Sequence, residues 1–376
     1  MGGALKLRAV ELRRVRMPLV APFRASYGVE TTRDILLLRA ETDAGEGWGE
    51  CAALSEPLYA PEYVDACEHV LRHHLLPRLF AAPSLDAEGV APCLRDVEGH
   101  RMAKAAIEMA VLDAELRARG ESFASRLGGV RDHVDAGIVL GVTGSVEELL
   151  DAVSRAVAEG YRRVKLKIEP GWDVDPVTAV RARFPDLPLQ ADANGAYSVR
   201  DAAHLARLDE LDLLLIEQPL PPDRIRDHVV LGRRLRTPIC LDESIVSAVS
   251  AADAVDLGAC RVVNVKPGRV GGYLEARRIH DVCRARGVPV WCGGMLETGL
   301  GRAGNAALAA LPGFTLPGDL SASARYYHRD LTAPFVLEGG RLRVPQGPGL
   351  GVDVDAAVLH DVTTAAHVMT EHRPGR

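Results

Sequence analysis

The sequence lacks paired cysteines, long apolar runs and any clustering of basic residues. Its seven cysteines are an odd number and are spread along the chain without a CxxC spacing, which is typical of reduced structural thiols. The N-terminal stretch MGGALKLRAVELRRVRMPLV is interrupted by charges throughout, so it predicts no signal peptide. No run reaches the roughly 18 apolar residues of a membrane span. We therefore expect a cytoplasmic protein with no membrane partner.

The charge of the chain excludes one further class of partner. A formal net charge of -6, with basic residues scattered over 376 positions, does not form the basic stripe of a nucleic-acid-binding protein. The length and the 47% hydrophobic content are enough for one large domain and a smaller one. We expect a small-molecule partner and no nucleic acid.

The chain divides into two parts with different patterns of predicted secondary structure. The first part reads as an α+β unit, with strand character near Leu5–Met17, Ile35–Glu41 and Gly45–Cys51 and a strongly helical segment from Arg101 to Ala118 that Gly120 ends. From about His133, strands alternate with helices at close to 25 residues per unit, which predicts a parallel sheet. No glycine-rich dinucleotide fingerprint follows the first of these strands, so a (β/α)8-type barrel is favoured over a doubly wound sheet. The candidate strands are Ala136–Leu140, Val164–Ile168, Pro188–Asp192, Leu213–Glu217, Pro238–Asp242, Cys260–Val265 and Val288–Cys292.

Three successive strands of this series finish in an acidic residue. Asp192, Glu217 and Asp242 lie 25 residues apart, so they occupy the same place in successive units and are expected to meet at the carboxyl-terminal rim of the barrel. Single acids at strand ends are more often helix caps or solvated rim residues. Three in register would repel one another without a cation, and oxygen-only ligation favours Mg²⁺, or another hard divalent ion such as Mn²⁺, over zinc.

The strand VKLKI carries two lysines where a buried strand is predicted. Lys165 and Lys167 share one face, so they are expected to point into the barrel while the aliphatic residues pack on the helices outside. Lys266 follows a later strand and is expected on the opposite side of the ring. A nearby divalent cation, a second ammonium group and partial burial are expected to favour a neutral amine, which is a general base. The chemistry predicted is removal of a proton next to a carboxylate, with the cation stabilising the enediolate.

Six motifs together resemble the enolase superfamily, in its muconate-lactonising branch, which lacks the His-Asp dyad used as a base in the mandelate-racemase branch. They are VKLKIEPGWD, DANGAY, LLLIEQPL, PICLDESI, VNVKPGRVGGYLEA and WCGGMLETGLGRA. These runs are similar above all to the o-succinylbenzoate synthases and the N-acylamino acid (N-succinylamino acid) racemases. The resemblance implies a modified TIM barrel, (β/α)7β, with an α+β capping domain. It places the cap in residues 1–130, the barrel in 131–325 and a segment returning to the cap in 326–376.

The resemblance also implies roles for individual residues. Lys167 and Lys266 would form the acid/base pair, Lys165 would lower the pKa of Lys167, and the carboxylates named above would hold Mg²⁺. Asn194 and Glu243 would support the metal and the second lysine. The remaining residues implied to bind substrate are Gly293, Gly294 and Met295, through free N–H groups near the succinyl or amide portion, and the loop aromatics Phe23 and Tyr59.

Several functions share this chemistry. The leading prediction is an o-succinylbenzoate synthase, which dehydrates a cyclohexadiene carboxylate in menaquinone biosynthesis, with Lys167 as the base and Lys266 as cationic support. The alternative is an N-acylamino acid racemase, in which both lysines act on opposite faces. A muconate cycloisomerase or a dipeptide epimerase is more distant, since Asp319 is the only acid near the presumed eighth strand. A catalytically dead scaffold is disfavoured by the intact lysines and acids. The family resemblance implies a homo-oligomer, a dimer or an octamer.

Overall fold

A computed structural model describes residues 5–26 and 28–371, so the outermost residues of the predicted end segments lie outside the described residues. Within this part the strands are β1 (Leu7–Ala25), β2 (Gly28–Thr42), β3 (Gly45–Cys51), β4 (His133–Asp135), β5 (Gly137–Leu140), β6 (Arg163–Lys167), β7 (Leu189–Asp192), β8 (Leu215–Glu217), β9 (Ile239–Leu241), β10 (Val262–Val265), β11 (Val290–Cys292), β12 (Arg341–Arg343) and β13 (Thr363–Thr370). The α-helices are α1 (Val64–Val70), α2 (Leu76–Ala81), α3 (Ala87–Cys93), α4 (Arg101–Arg119), α5 (Phe123–Leu127), α6 (Val146–Ala158), α7 (Val174–Arg183), α8 (Ala202–Leu205), α9 (Ile225–Gly232), α10 (Ala248–Asp256), α11 (Pro267–Val270), α12 (Tyr273–Ala285), α13 (Gly299–Ala309) and α14 (Ala356–Val362).

A four-stranded antiparallel sheet forms the cap, in the order β13-β1-β2-β3. The strand β13 comes from the tail of the chain and pairs with β1, so both ends of the chain contribute to the same sheet. Helix α4 packs directly on β3. The two backbones come so close that a Cβ at Gly49 would lie only 2.0 Å from the carbonyl oxygen of Ala106. Only glycine permits this approach of strand and helix backbones. Gly120, at φ 66°, ends the helix as predicted.

A parallel sheet of seven strands forms the second unit, in the order β11-β10-β9-β8-β7-β6-β5. The segment 314–319 closes this sheet into a barrel: it bridges β11 at Val290 and also pairs with the residue before β5, Ala136. The Asp319 N–H donates to the carbonyl of Cys292 at 2.9 Å, and the Gly137 N–H donates to the carbonyl of Gly318 at 2.7 Å. The predicted modified barrel with a cap is confirmed. The division at residues 130 and 325 stays a prediction.

Two buried carboxylates of the cap satisfy the first backbone N–H groups of barrel helices. Glu50 on β3 accepts hydrogen bonds from the N–H groups of Thr298 and Gly301 at the start of α13. Glu108 on α4 accepts one from the N–H of Leu274 at the start of α12. Helix N-termini leave such donors unpaired and carry partial positive charge, so these contacts fix the cap over the carboxyl-terminal rim of the barrel.

The remaining bulk expectations concern thiols and membranes. All seven cysteines are free thiols, and six of them are buried. None of the helices in residues 5–26 and 28–371 combines the length and the hydrophobicity that crossing a bilayer requires.

Candidate active site

The strand ends bring the predicted lysines and carboxylates together at one rim of the barrel. Lys167 on β6 is in register with Asp192 on β7, which is in turn in register with Glu217 on β8. Asp242 directly follows β9, and Lys266 directly follows β10. All five of these side chains are buried, so five ionisable groups lie close together and largely shielded from solvent.

The two lysines of β6 point to the same side and contact the same carboxylate. The Nζ atom of Lys165 lies 2.8 Å from Glu217 and 3.3 Å from Asp192. The Nζ atom of Lys167 lies 2.7 Å from Asp192 and 2.6 Å from the side-chain oxygen of Asn194. The alternation of a strand produces this shared face, since residues two apart point the same way.

Lys266 approaches the carboxylates from the other side of the ring. Its Nζ atom lies 2.9 Å from Asp242 and 3.1 Å from the hydroxyl of Tyr59, and its ammonium group stands 4.5 Å from the centre of the Tyr59 ring. The guanidinium of Arg269 also contacts Asp242. Because β7, β8 and β9 separate the two lysine-bearing strands, amines flank the carboxylates on both sides.

The charged groups of the site shift one another's pKa values. Burial lowers the pKa of Lys165, but the carboxylates of Asp319, Glu217 and Asp192 outweigh burial and raise it above its ordinary value. Burial also lowers the pKa of Lys266, and the Tyr59 oxygen and nearby carboxylates again raise it overall. The raised pKa of Lys165 agrees with the positive charge that was expected of it, and the expectation of a neutral amine, which was made for a site holding a divalent cation, stays a prediction.

The carboxylates respond to the same contacts in opposite directions. Burial raises the pKa of Asp192, but the ammonium groups of Lys167 and Lys165 outweigh it, so the carboxyl is more acidic than usual. Burial raises the pKa of Glu217, and the charge of Asp192 raises it further. Neighbouring buried acids whose pKa values are shifted in opposite directions are typical of functional sites.

The donor set fits a hard divalent cation in its chemistry. In the described part of the chain no three acidic, histidine or cysteine groups converge on a common point, since each rim carboxylate contacts a lysine or arginine instead. The three acids nevertheless stand at the ends of neighbouring strands and present only oxygens. One oxygen of Glu243, Oε2, is buried and has no hydrogen-bond partner, which a cation nearby would compensate.

Asn194 and Glu243 form a hydrogen-bonded chain from Lys167 on β6 to the end of β9. The Asn194 side-chain amide donates to Glu243 at 2.8 Å, while its oxygen accepts from Lys167. Asn194 adopts a left-handed backbone with φ 43°, a conformation that asparagine tolerates better than most residues. This turn places its short side chain between the two strand ends.

The glycine run after β11 contacts the second lysine. A Cβ at Gly293 would lie 2.7 Å from Cε of Lys266 and 2.3 Å from the side-chain oxygen of Asn264, so glycine is required for the close approach. The expectation of free N–H groups here is wrong for two of the three residues. The Gly293 N–H donates to the carbonyl of Val265, and the Met295 N–H donates to Glu297. Gly294 lines the cavity above the lysines.

A cavity of about 40 Å³ lies between the lysines and the cap. Phe23 and Tyr59 both line it, together with Met295. A larger cavity of about 680 Å³ opens elsewhere and is lined by residues of the 322–337 segment and of α14, but by none of the three lysines. We assign the site to the smaller cavity because the charged groups with shifted pKa values face it.

Three residues of the site escaped the sequence reasoning, and a fourth, Asp319, was noted only as an acid near the eighth strand. Asp319 ends the segment that closes the barrel and contacts Lys165 at 2.7 Å and Arg163 at 2.8 Å. The ring of Trp291 lies 4.7 Å from the Nζ atom of Lys165. Arg163, two residues before Lys165, could have been found from the shared face of the strand. Arg269 and Trp291 gave no comparable signal.

Comparison with known proteins places the chain among enzymes. Residues 8–128 match the mandelate racemase / muconate lactonizing enzyme N-terminal domain, and residues 148–358 match the enolase C-terminal domain-like family. An N-succinylamino acid racemase of Amycolatopsis sp is 63% identical over 96% of this chain and 98% of its own. An o-succinylbenzoate synthase of Geobacillus kaustophilus is 47% identical over 96% and 97%. The crystal structure of an enolase superfamily member from Listeria innocua matches with a TM-score of 0.94 at 39% identity, covering 98% of this chain and all of the other.

Proposed function

The chain belongs to the mandelate racemase / muconate lactonizing enzyme family of the enolase superfamily, and on this premise we propose that it is an o-succinylbenzoate synthase that also racemises N-succinylamino acids. One observation supports this proposal above the others. Buried amines of Lys167 and Lys266 flank a row of buried carboxylates at the rim of the barrel. This arrangement is suited to proton transfer at a carbon held between them.

Enzymes of this superfamily depend on divalent metal ions, and we infer Mg²⁺ because the donors are all oxygens. Asp192, Glu217 and Asp242 would hold the ion. When bound, it stabilises the negative charge that develops on the substrate carboxylate as the neighbouring proton leaves. With an ion held there, these acids would no longer depend on the lysine ammonium groups as partners, and the amines of Lys167 and Lys266 would be available to the substrate.

The charges of the site are consistent with a doubly negative substrate. Five acidic side chains meet five basic ones there, namely Asp192, Glu217, Asp242, Glu243 and Asp319 against Arg163, Lys165, Lys167, Lys266 and Arg269. A divalent cation added to this set would leave it positively charged even with one lysine neutral as the base, which favours a negatively charged substrate. Both the diene precursor of o-succinylbenzoate and an N-succinylamino acid carry two carboxylates.

In the dehydration, Lys167 accepts the proton from the carbon next to the carboxylate. The electron pair of that C–H bond moves into the ring, the hydroxyl on the neighbouring carbon leaves as water with the proton that Lys167 took up, and the ring becomes aromatic. Lys266 stays protonated on the opposite side and supports the negative charge that builds up, while Lys165 adds positive charge close to Asp192. The product would serve menaquinone biosynthesis.

In the racemisation, both amines exchange protons with the same carbon. One lysine removes the α-proton from one face, and the other donates a proton to the opposite face, which inverts the centre. The positions of Lys167 and Lys266, with three strands between theirs, favour this second activity. The same residues therefore serve both reactions.

The contacts of Asp319 argue against a dipeptide epimerase. A dipeptide epimerase needs an acid free to bind the ammonium of its substrate, but this carboxylate already pairs with Arg163 and Lys165. A muconate cycloisomerase shares the lysines and is separated from a synthase only by its substrate. For location and assembly we keep a cytoplasmic homo-oligomer, a dimer or an octamer, and the free cysteines support the location.

The test follows the α-proton of both enantiomers of N-succinylphenylglycine by proton NMR in D2O with Mg²⁺, in parallel with ultraviolet detection of aromatic product from the diene substrate. Exchange of both enantiomers and formation of the aromatic product are expected. Enzyme treated with EDTA is the matched control. Metal-loaded protein that catalyses neither exchange nor dehydration would refute the proposal.

A further inference from the structure

The cap contributes one carboxylate, Glu30, to the cavity above the lysines. Glu30 lies on β2 directly opposite Phe23 on β1, in the pairing near the end of the hairpin. Directly opposed residues of an antiparallel pair place their side chains on the same face. Phe23 also lines the cavity, so the strand pairing and the cavity lining both indicate that the side chain of Glu30 faces the cavity.

Glu30 differs from the other acids around the cavity in having no partner. Across residues 5–26 and 28–371 it makes no hydrogen bond or ion pair, although it is half-buried. Asp319, the other carboxylate lining the cavity, pairs with both Arg163 and Lys165. A carboxylate that is partly removed from water without a donor is a site that a cationic or donor group of a ligand would satisfy.

Much of the cavity wall is apolar or aromatic. Phe23, Leu54, Leu296 and Tyr326 line it, and so do the three lysines, which stand on or directly after barrel strands. Aromatic faces attract cations and tolerate the methylene stem of a long side chain. The cavity therefore has a cationic side toward the barrel and a side toward the cap with one unpaired negative charge.

We propose that Glu30 selects N-acylamino acids with a long basic side chain, of the lysine or arginine type. This inference rests on the proposed racemase activity, because the α-carbon must lie between Lys167 and Lys266. From that point a short cationic side chain would remain close to the lysine ammonium groups and be repelled. A long one extends to the cap, where Glu30 accepts a hydrogen bond from its terminal nitrogen.

The experiment compares kcat/KM for N-succinyl-lysine with kcat/KM for N-succinyl-norleucine, which has the same stem without the amine. The ratio of the two values is measured for the wild type, Glu30→Gln and Glu30→Lys. We expect Glu30→Gln to lower the ratio about tenfold, since a hydrogen bond between charged groups is lost, and Glu30→Lys to lower it further. The control is Glu46→Gln, an exposed cap carboxylate paired with Arg39, which should leave the ratio unchanged.

The outcomes separate this inference from the proposed function. Racemisation of the norleucine derivative with the same ratio in the wild type and Glu30→Gln would overturn the role of Glu30 and leave the proposed function standing. Absence of turnover of both derivatives by the wild-type enzyme would overturn this inference and the proposed racemase activity, while dehydration of the diene substrate would still test the synthase activity. A ratio that falls in Glu30→Gln and falls again in Glu30→Lys supports the assignment, because a folding defect would change both substrates equally.

Discussion

Asp319 should be worth several kilocalories per mole to the stability of the barrel. Its carboxylate is buried and contacts two fully buried cations, Arg163 at 2.8 Å and Lys165 at 2.7 Å. The substitution Asp319→Asn removes the charge but keeps the shape. Arg163 then loses its charged partner and keeps two backbone carbonyls and the Trp291 ring, whereas Lys165 still has Glu217 and Asp192. Breaking a buried pair costs about 3–5 kcal/mol, and since one cation keeps its partners we expect about 3 kcal/mol.

Equilibrium unfolding in urea, followed by tryptophan fluorescence and circular dichroism, measures this loss. With a slope of about 3 kcal/mol per molar urea, the midpoint of Asp319→Asn should fall by roughly 1 M. The control is Asp361→Asn, which breaks an exposed pair with Arg329 and should cost less than about 0.5 kcal/mol. Equal midpoints for the two variants would refute the view that Asp319 compensates the buried cations.

Three further predictions concern the metal, the glycine run and the cap. Glu217→Gln should weaken Mn²⁺ binding, measured by electron paramagnetic resonance, by at least about tenfold, while the exposed Asp223→Asn should not. Gly293→Ala should displace Lys266 and lower kcat, and it should lower the free energy of unfolding, measured by thermal unfolding, by about 1–3 kcal/mol. The control is Gly232→Ala, at a helix position with space for a methyl group, which should not destabilise the protein. Burial raises the pKa of Glu50 to about 7, so the folded state binds its proton more tightly than the unfolded chain and the stabilisation is lost as pH rises from about 5 to 8. Relative to Glu50→Gln, the wild type should lose roughly 2 kcal/mol across that range, and a pH-independent difference would contradict this.

The strand ends of the barrel were predictable because two regularities coincide there. Alternation within a strand predicts the shared face of Lys165 and Lys167, and the repeat of 25 residues predicts the row of acids. Six of the seven observed strands start one or two residues later than predicted, and β6 starts one residue earlier. Five of the seven end at the predicted residue, and the other two, β6 and β9, end one residue before it. Periodicity and the positions of charged residues carry that information.

The contacts across the barrel were not predictable from spacing. Asp319 reaches Arg163 only because the segment 314–319 closes the sheet, a tertiary event with no local signature. The same closure brings the carboxylate of Asp319 against Lys165, where it helps to raise the pKa of that lysine. The N–H groups of Gly293 and Met295 were expected to be free, but they are taken by Val265 and Glu297, partners that a glycine motif does not specify.

The central claim is that Lys167 and Lys266 serve opposite faces of one carbon, and α-proton exchange in single-lysine variants tests it most directly. Each enantiomer of N-succinylphenylglycine is incubated in D2O with Mg²⁺ and with Lys167→Ala or Lys266→Ala. The control is Lys6→Ala, a lysine that pairs with Glu371 and does not line the cavity. We predict that both active-site variants lose racemisation and that each still exchanges the proton of only one enantiomer, the opposite one in the two variants. Racemisation at the wild-type rate in either variant would contradict the two-lysine account.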